Sequence, residues 1–262
     1  MKRVYFEENA NFKMRLKLLS VKRMTKYLLL MLATSVVFQT LCHAEFTGSI
    51  TGTTEYIGYG YTKSNGEPAL QANLDYQHAS GLFLGVSVSS VDFGDHQFKD
   101  RSRVEIAPYL GGHFEFSDDW RFELQWLRYL YDDRIFGADA DYNLFSATVH
   151  YQDLVSAQIT VSDDVYQQDE MAVYYQLTGR YPLTDRVEFS SILGYSSTRD
   201  ALEYNYLYWH AGLTWFHPYG AVDFRYVQST FISETERANR TRWLFDPDKI
   251  SARFVFSVSF GF

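Results

Sequence analysis

The sequence ends with Ile250-Ser-Ala-Arg-Phe-Val-Phe-Ser-Val-Ser-Phe-Gly-Phe262, in which every even-numbered residue is apolar. The residues between them are mostly small or polar. Because successive side chains of a β-strand point to opposite faces, this alternation predicts one long strand with an aromatic face and a polar face. An exposed aromatic strand at the edge of a soluble sheet invites aggregation, so the pattern favours a strand that faces lipid.

The terminal strand resembles the C-terminal recognition strand of bacterial outer-membrane β-barrels. This resemblance implies that Phe260 and Phe262 form the signal that the barrel-assembly machinery reads. It also leads us to expect an export signal and further amphipathic strands elsewhere in the chain. The alternative is an amphipathic edge strand of a soluble β-sandwich.

The amino-terminal region has the order of a secretory signal. A basic region with eight Lys and Arg residues against two Glu residues is followed by a short apolar run and by the small-x-small site Cys42-His43-Ala44. This order is typical of a cleaved signal, and the apolar run is too short for a spanning helix. We therefore predict a signal peptide at residues 1–44, with Met14 and Met24 as alternative starts, and a single domain at residues 45–262.

The predicted mature chain is acidic and lacks cysteine. Residues 45–262 keep 16 of the 24 basic and 30 of the 32 acidic residues, which gives a net charge of −14. This balance argues against nucleic acid as a partner, and no disulfide can form. No apolar run in this part approaches the roughly 18 residues of a spanning helix. Since only helices and closed barrels satisfy every backbone group in lipid, a membrane protein of this composition is a barrel.

Segments of about ten residues with alternating hydrophobicity recur along the chain, separated by turn residues. The twelve predicted strands are 46–61, 69–78, 82–89, 104–114, 120–128, 142–151, 154–162, 171–181, 186–196, 204–216, 221–232 and 250–262. Short and longer connections alternate between them. We therefore predict an all-β fold, a transmembrane antiparallel up-and-down β-barrel of about 12 strands with both termini in the periplasm.

Some details of these strands leave questions open. Pro108 lies in the middle of a predicted strand, where it cannot donate a ladder hydrogen bond. Arg128 interrupts an outward apolar row, so either the membrane band ends before it or a bulge shifts the register there. Aromatic residues near strand ends are expected to form interfacial girdles, with Trp120, Tyr151, Tyr181, Trp215 and Phe262 on one side and Tyr59, Tyr142 and Tyr195 on the other.

Residues 45–94 contain a series of short motifs. They are Glu55-Tyr56, Gly60, Gly66-Glu67-Pro68-Ala69, Leu74-Asp75-Tyr76, His78, Ser80-Gly81-Leu82-Phe83-Leu84-Gly85 and Ser90-Val91-Asp92-Phe93-Gly94. In these motifs the chain resembles the TorF-type porins, also called the conserved hypothetical Gcw_chp family. The family usually has an arginine before the glycine that aligns with Gly60, where this chain has Tyr59, so no role of that arginine is carried over. The resemblance implies an outer-membrane porin-like protein and names no solute.

Charged residues occupy many inward positions of the predicted strands. The predicted lumen-lining residues are Asp75, Arg103, Glu105, Arg121, Glu123, Arg180, Glu188, Asp223, Arg225 and Arg253. Several form same-face pairs two residues apart, such as Arg121 with Glu123. These pairs either neutralise one another inside a partly filled barrel or line a water-filled passage.

We therefore expect an outer-membrane porin for the passive passage of small polar solutes, without cofactor or metal. Its expected partners are outer-membrane lipid, lipopolysaccharide, the barrel-assembly machinery and the solutes. The alternatives are a non-conducting structural barrel and an adhesin or receptor that uses its outer loops, above all residues 233–248. An outer-membrane hydrolase is less favoured, because Asp95-His96 fits a solvated loop better than a protease site.

Overall fold

The computed structural model describes residues 44–231 and 252–262. This part of the chain contains fourteen strands: β1 Ala44–Thr53, β2 Ile57–Gly58, β3 Tyr61–Thr62, β4 Ala69–His78, β5 Leu82–Ser90, β6 Val104–Ser117, β7 Trp120–Tyr131, β8 Tyr142–Tyr151, β9 Val155–Ser162, β10 Ala172–Thr184, β11 Val187–Ser197, β12 Tyr206–His217, β13 Gly220–Phe231 and β14 Arg253–Gly261. A 3-10 turn at Val165–Gln167 and a four-residue helix at Arg199–Leu202 lie in connections. Within the described ranges, no helix is both long and apolar enough to cross a membrane.

Twelve of these strands form one closed antiparallel barrel in which β14 pairs with β1. The remaining two, β2 and β3, pair only with each other. The prediction of an all-β, 12-strand up-and-down barrel is confirmed. The predicted first strand at 46–61 is wrong in its second half, because β1 ends at Thr53 and the following residues leave the barrel wall.

The two ends of the barrel differ in their connections. At the end that carries residue 262, which we call the turn end, five connections of two or three residues join consecutive strands. At the opposite end, which we call the loop end, the described connections contain eight to fifteen residues. The periplasmic position of the termini stays a prediction. Residues 1–43 of the predicted signal peptide and the predicted loop at 233–248 lie outside the described residues.

The outer surface of the wall is apolar. Large hydrophobic side chains on successive strands are about half exposed or more, among them Leu70, Leu84, Leu110, Phe145, Leu177, Leu193 and Phe254. An apolar surface that encircles a barrel is the surface that a transmembrane barrel turns to lipid. The fold is therefore that of an outer-membrane β-barrel.

Both open questions about the strands are resolved. The ladder between β6 and β7 is interrupted at Pro108, but Ile106 with Leu130 and Tyr109 with Leu127 keep the same register on either side. The register between β7 and β8 is continuous through Arg128, so no bulge occurs there. The guanidinium of Arg128 lies 3.9 Å from the carboxylate of Asp141 in a loop-end connection, so its charge has a partner there.

The barrel closes where the last strand meets the first. Residues 257–261 pair with residues 49–53. Beyond that ladder, the backbones of Phe262 and Gly48 exchange two hydrogen bonds of 2.9 Å. The ring of Phe262 covers Gly48, where a Cβ atom would lie 2.4 Å from the ring. The terminal aromatic residue is therefore a structural part of the closing seam as well as the predicted assembly signal.

We predict that Phe262→Ala lowers the fraction of chain that assembles as a closed barrel. The substitution keeps the backbone hydrogen bonds but removes the ring that packs over Gly48. Heat-modifiable migration of outer-membrane fractions on denaturing gels measures the folded fraction. Tyr219→Ala is the matched control, because Tyr219 is an exposed aromatic residue of a turn at the same barrel end. Equal losses from both substitutions would contradict a special role for Phe262.

Candidate functional site

The segment between β1 and β4 turns into the barrel as a small hairpin. Ile57 pairs with Thr62 and Gly58 pairs with Tyr61. The two central residues, Tyr59 and Gly60, both have positive φ angles, 48° and 86°. Positive φ at both central positions is the requirement of a type I′ turn, which suits a tight two-residue hairpin. We call residues 55–67 the inner hairpin.

The turn of the inner hairpin lies directly against the barrel wall. The hydroxyl of Ser229 on β13 donates a 2.5 Å hydrogen bond to the carbonyl oxygen of Gly60. A Cβ atom at Gly60 would lie 2.4 Å from the Cβ of Tyr208 on β12. The ring of Tyr59 stacks on that of Tyr174 at a centroid distance of 4.3 Å. Glycine is therefore required at position 60 by both the backbone angle and the close approach.

A buried ion pair anchors the inner hairpin on the side of β6. The ammonium of Lys63 lies 2.6 Å from a carboxylate oxygen of Glu105, and the two side chains are 0% and 1% exposed. Glu105 also accepts hydrogen bonds from the hydroxyls of Tyr56 and Tyr131 at 2.8 and 2.9 Å. The ammonium lies 3.7 Å from the centre of the Tyr129 ring. A buried charge pair with this many partners is satisfied where it lies, but either charge alone would be costly.

Tyrosines fill the loop end of the lumen around this pair. Tyr61 of the inner hairpin and Tyr166 of a loop-end connection share a hydrogen bond between their hydroxyls. The buried cluster also contains Tyr142, Tyr174, Tyr204, Tyr206 and Tyr208, and each of its tyrosines is at most 4% exposed. Because these rings are in contact with one another and with the inner hairpin, packed side chains of the described residues fill much of the loop end of the lumen.

Two carboxylates fix the connections above this cluster. Asp132 accepts hydrogen bonds from the backbone N–H groups of Arg103 and Val104 and from the hydroxyl of Ser102. Burial opposes its charge, but these donors lower the pKa of Asp132 below its usual value. Asp92 is likewise partly buried, and the backbone N–H of Gly94 together with His96 lowers the pKa of Asp92. The loop-end connections are thus ordered by ionised side chains.

A cavity of about 460 Å³ lies within the barrel under the inner hairpin. Residues 55–60 of the inner hairpin line it from one side. The barrel wall supplies Gln71, Gln158, Gln176, His210, Arg225 and Ser257 among its lining residues. We call this space the central cavity. The wall side of its lining mixes these polar groups with the apolar and aromatic residues Tyr129, Ile192, Tyr208, Val227 and Val255, and the inner hairpin adds the rings of Tyr56 and Tyr59.

A second cavity, of about 660 Å³, lies at the turn end of the lumen. We call this space the vestibule. Its charged lining residues are Glu45, Asp75, Glu115 and Glu123 against Arg121. Four carboxylates against one guanidinium make its lining acidic.

The structure separates the ten predicted lumen residues into several groups. Asp75, Arg121 and Glu123 line the vestibule, and Arg225 lines the central cavity with Asp223 as its ion-pair partner. Arg253 pairs with Glu55 of the inner hairpin, and Glu105 pairs with Lys63 in the loop-end cluster. Arg103 lies before β6, is half exposed and pairs with Asp92. Arg180 and Glu188 lie on β10 and β11 and line neither cavity.

The predicted same-face pairs form only in part. Asp223 and Arg225 make a bidentate contact, with both oxygen-to-nitrogen distances at 2.6 Å. Arg121 instead contacts Asp153 of the adjacent turn at 2.9 Å. The half-exposed Arg103 is bound to Asp92, whereas its expected partner Glu105 is buried. Cross-strand and loop partners therefore replace most of the pairing along a single strand.

The predicted loop-side girdle is wrong for two residues. Tyr59 belongs to the inner hairpin, and Tyr142 is 3% exposed inside the tyrosine cluster. Tyr195 stacks on the outward ring of Tyr175, as a girdle residue would. The predicted girdle residues Trp120, Tyr151, Tyr181, Trp215 and Phe262 lie at the turn end with exposed rings.

Sequence reasoning missed the inner hairpin and with it Lys63. The alternation of residues 55–62 is compatible with a continued strand, and Lys63 follows that strand as an ordinary loop lysine would. The available signal was the pair Gly58 and Gly60, since glycine inside a strand pattern marks a bend or a close backbone approach.

We predict that Gly60→Ala destabilises the inner hairpin more than Gly66→Ala does. Both glycines have positive φ angles, 86° and 81°, so both substitutions carry a backbone cost of about 1–2 kcal/mol. Only the alanine at position 60 also collides with Tyr208, whereas nothing lies within 4 Å of a Cβ at position 66. Overpacking of this kind adds about 1–3 kcal/mol. Thermal unfolding in detergent, followed by circular dichroism, measures the difference, and equal melting temperatures would contradict the close contact.

The chain is similar to several solved structures at very low sequence identity. The chain is similar to the KdgM porin, with a TM-score of 0.50 and 7% identity over 82% of this chain and 99% of that one. It is also similar to the NanC porin, with a TM-score of 0.48 and 8% identity over 81% and 97% of the two chains. An outer membrane channel from Pseudomonas putida F1 matches with a TM-score of 0.46 and 9% identity, over 82% and 94%.

A comparison with curated proteins gave no match. The model of one family does match, over residues 40–257, and its description is "Bacterial protein of unknown function (Gcw_chp)". This match covers most of the chain and contains all twelve barrel strands except the end of β14. The chain therefore belongs to the Gcw_chp family of bacterial proteins.

Proposed function

We propose that this protein is an outer-membrane channel for the passive passage of small polar solutes, and that the inner hairpin is its gate. The observation that carries this proposal is the arrangement of the lumen. Two cavities with charged and polar lining groups occupy the interior from the turn end inward, and a packed hairpin fills space at the loop end. Polar groups that line cavities along the axis of a barrel suit the passage of water and polar solutes.

The position of the inner hairpin suits a gate. It is an insertion between β1 and β4, two strands that are neighbours in the closed barrel. It can therefore leave the lumen without breaking any strand pairing of the wall. The lumen-facing wall beneath it carries Gln158, Gln176 and the ion-paired Arg225, which suit contact with water and polar solutes.

The arrangement offers less support to an enzyme. Asp95 of the Asp95-His96 motif is 1% exposed and accepts a 3.0 Å hydrogen bond from the backbone N–H of Phe136, so its carboxylate holds a loop in place. His96 is bound to Asp92, four residues earlier, and not to Asp95. The motif thus serves loop structure, and we assign the protein no hydrolytic step.

We predict that excision of the inner hairpin increases conductance. Residues 56–66 are replaced by a Gly-Ser-Gly-Ser linker, which suffices because β1 and β4 are adjacent. The purified barrel is reconstituted in a planar bilayer, and single-channel conductance in KCl is compared with that of the unaltered protein. Removal of the gate should give larger or longer openings.

The control for this excision is an insertion of the same linker after Glu67, which leaves the inner hairpin complete. Glu67 and Pro68 are exposed, so the inserted residues extend outside the packed cluster. The inserted variant should conduct like the unaltered protein. An excised barrel that folds but passes no current would overturn the channel proposal, and one that conducts like the unaltered protein would overturn the gate.

We also predict that Lys63→Met favours the open state. The substitution leaves the Glu105 carboxylate buried without its cation, at a cost of about 3–5 kcal/mol to the closed packing. The open probability should rise, and the double variant Lys63→Met/Glu105→Gln should bring it back down. Arg103→Met is the control, because an exposed pair such as Arg103 with Asp92 contributes only about 0–1 kcal/mol. An open probability that rises equally in Arg103→Met would contradict the role of the buried pair.

A further inference from the structure

The charges at the central cavity are already paired within the protein. Arg225 contacts both oxygens of Asp223. Glu55 is bound to the guanidinium of Arg253. Among the residues that the structure describes, Glu55 and Arg225 are the charged side chains that line the cavity, and each has a counter-charge of its own. A charged solute would find no unpaired partner among these residues and would lose its hydration on entering.

His210 adds an uncharged donor to the same cavity. The Nη1 of Arg225 lies 2.8 Å from the Nδ1 of His210. Arginine has only donors, so Nδ1 must accept this hydrogen bond and the imidazole must be neutral with its proton on Nε2. The cavity thus receives an N–H donor without a positive charge.

Three glutamines from three strands supply further neutral donors and acceptors. Gln158 donates to the hydroxyl of Thr148 at 3.1 Å, and Gln176 accepts from the hydroxyl of Tyr208 at 3.1 Å. The amide of Gln71 on β4 lies 3.4 Å from the hydroxyl of Ser89. Each amide has two N–H donors and two lone pairs, so these contacts orient the side chains and leave groups for a ligand.

Aromatic rings line the cavity from two sources. Tyr56 and Tyr59 belong to the inner hairpin, and Tyr129 and Tyr208 belong to β7 and β12 of the barrel wall. A sugar ring or a cyclic polyol has hydroxyl groups at its edge and C–H groups on its faces, so it matches amides on one side and rings on the other. The volume of about 460 Å³ lies in the range of small-molecule sites, about 300–1,000 Å³.

The vestibule disfavours anionic solutes. Its four carboxylates and one guanidinium repel anions at the turn end of the lumen. An acidic sugar that entered from the turn end would meet this field before it reached the central cavity, and one that entered from the loop end would meet it on leaving. The acidic vestibule and the neutral cavity together favour an uncharged polyhydroxylated molecule.

We propose that the central cavity is a binding site for a neutral polyhydroxylated solute of about the size of a monosaccharide, held by Gln158, Gln176 and His210 against the tyrosines of the inner hairpin. This inference rests on the proposed channel, since it names the class of solute that the lumen takes up. It concerns binding, however, and so it can be tested apart from conductance.

The test compares three sugars of the same ring and different charge. Glucose, glucuronate and glucosamine are titrated separately against the full-length mature barrel in lauryldimethylamine oxide, a detergent without a sugar headgroup, and binding is followed by saturation-transfer difference NMR. Glucose should bind, and glucuronate and glucosamine should each bind about tenfold more weakly or worse, as expected for a charge without a partner. Binding of either charged sugar as strong as that of glucose would overturn the inference.

Variants locate the binding site. Gln158→Leu/Gln176→Leu should weaken glucose binding about tenfold, because each lost hydrogen bond contributes a factor of several. Gln125→Leu is the matched control, since Gln125 is an inward glutamine that lines the vestibule and not the central cavity. Thermal unfolding of each variant checks that the barrel is intact. Unchanged glucose binding in an intact double variant, or an equal loss in the control, would overturn the assignment.

Conductance measured on the same preparations separates this inference from the proposed function. A barrel that conducts KCl but binds no glucose refutes the solute class and leaves the channel standing. A barrel that binds glucose through Gln158 and Gln176 but never conducts, even with the inner hairpin excised, supports the binding site and refutes the channel.

Discussion

A sheet that faces hydrocarbon must have no edge, because a backbone N–H or C=O group in lipid has no water to bind. In this protein the constraint is met at one seam, where residues 257–261 pair with residues 49–53 and the backbones of Gly48 and Phe262 exchange two further hydrogen bonds. The alternation of the other strands follows from closure, since each strand then has one face toward lipid and one toward the lumen. Outward positions are consequently apolar, and inward positions carry the polar and tyrosine side chains.

Closure also creates an interior that something must occupy. Near the loop end, the inner hairpin between β1 and β4 occupies this space. It fits there because Gly60 permits both a tight turn and close contact with the wall. The insertion also carries the Lys63 ammonium into the lumen. Burial of this charge would be unfavourable without the Glu105 carboxylate, which also accepts hydrogen bonds from Tyr56 and Tyr131. Filling by an insertion differs from filling by wall side chains, because an insertion can withdraw while the wall stays closed.

The sequence predicts the wall far better than the lumen. Alternation is a local property with a period of two, so β4 and β8 are predicted to the residue at Ala69–His78 and Tyr142–Tyr151. The position of residues 55–62 inside the barrel depends on contacts with Tyr174, Tyr208 and Ser229, which are distant in the sequence. A local sequence pattern does not predict these contacts. The same limit applies to the charges. Spacing places Asp223 beside Arg225, but it cannot show that Arg121 turns to Asp153 or that Glu105 receives Lys63.

The interior charges fall into two regimes along the barrel axis, and this division bears on selectivity. Within the barrel, under the inner hairpin, the two charged lining residues that the structure describes are each bound to an opposite charge at short range. Their electric fields therefore largely cancel beyond a short distance, and this part of the lining presents mainly hydrogen-bonding dipoles. At the turn end, the carboxylates outnumber the cations and the field reaches into the lumen. In the proposed channel, a solute that enters from the turn end first experiences the long-range electric field of the vestibule. It then makes short-range hydrogen bonds in the central cavity. A barrel with paired charges in both the vestibule and the central cavity would select solutes mainly by size. A barrel with unpaired charges in both regions would bind counter-ions there in place of an uncharged solute.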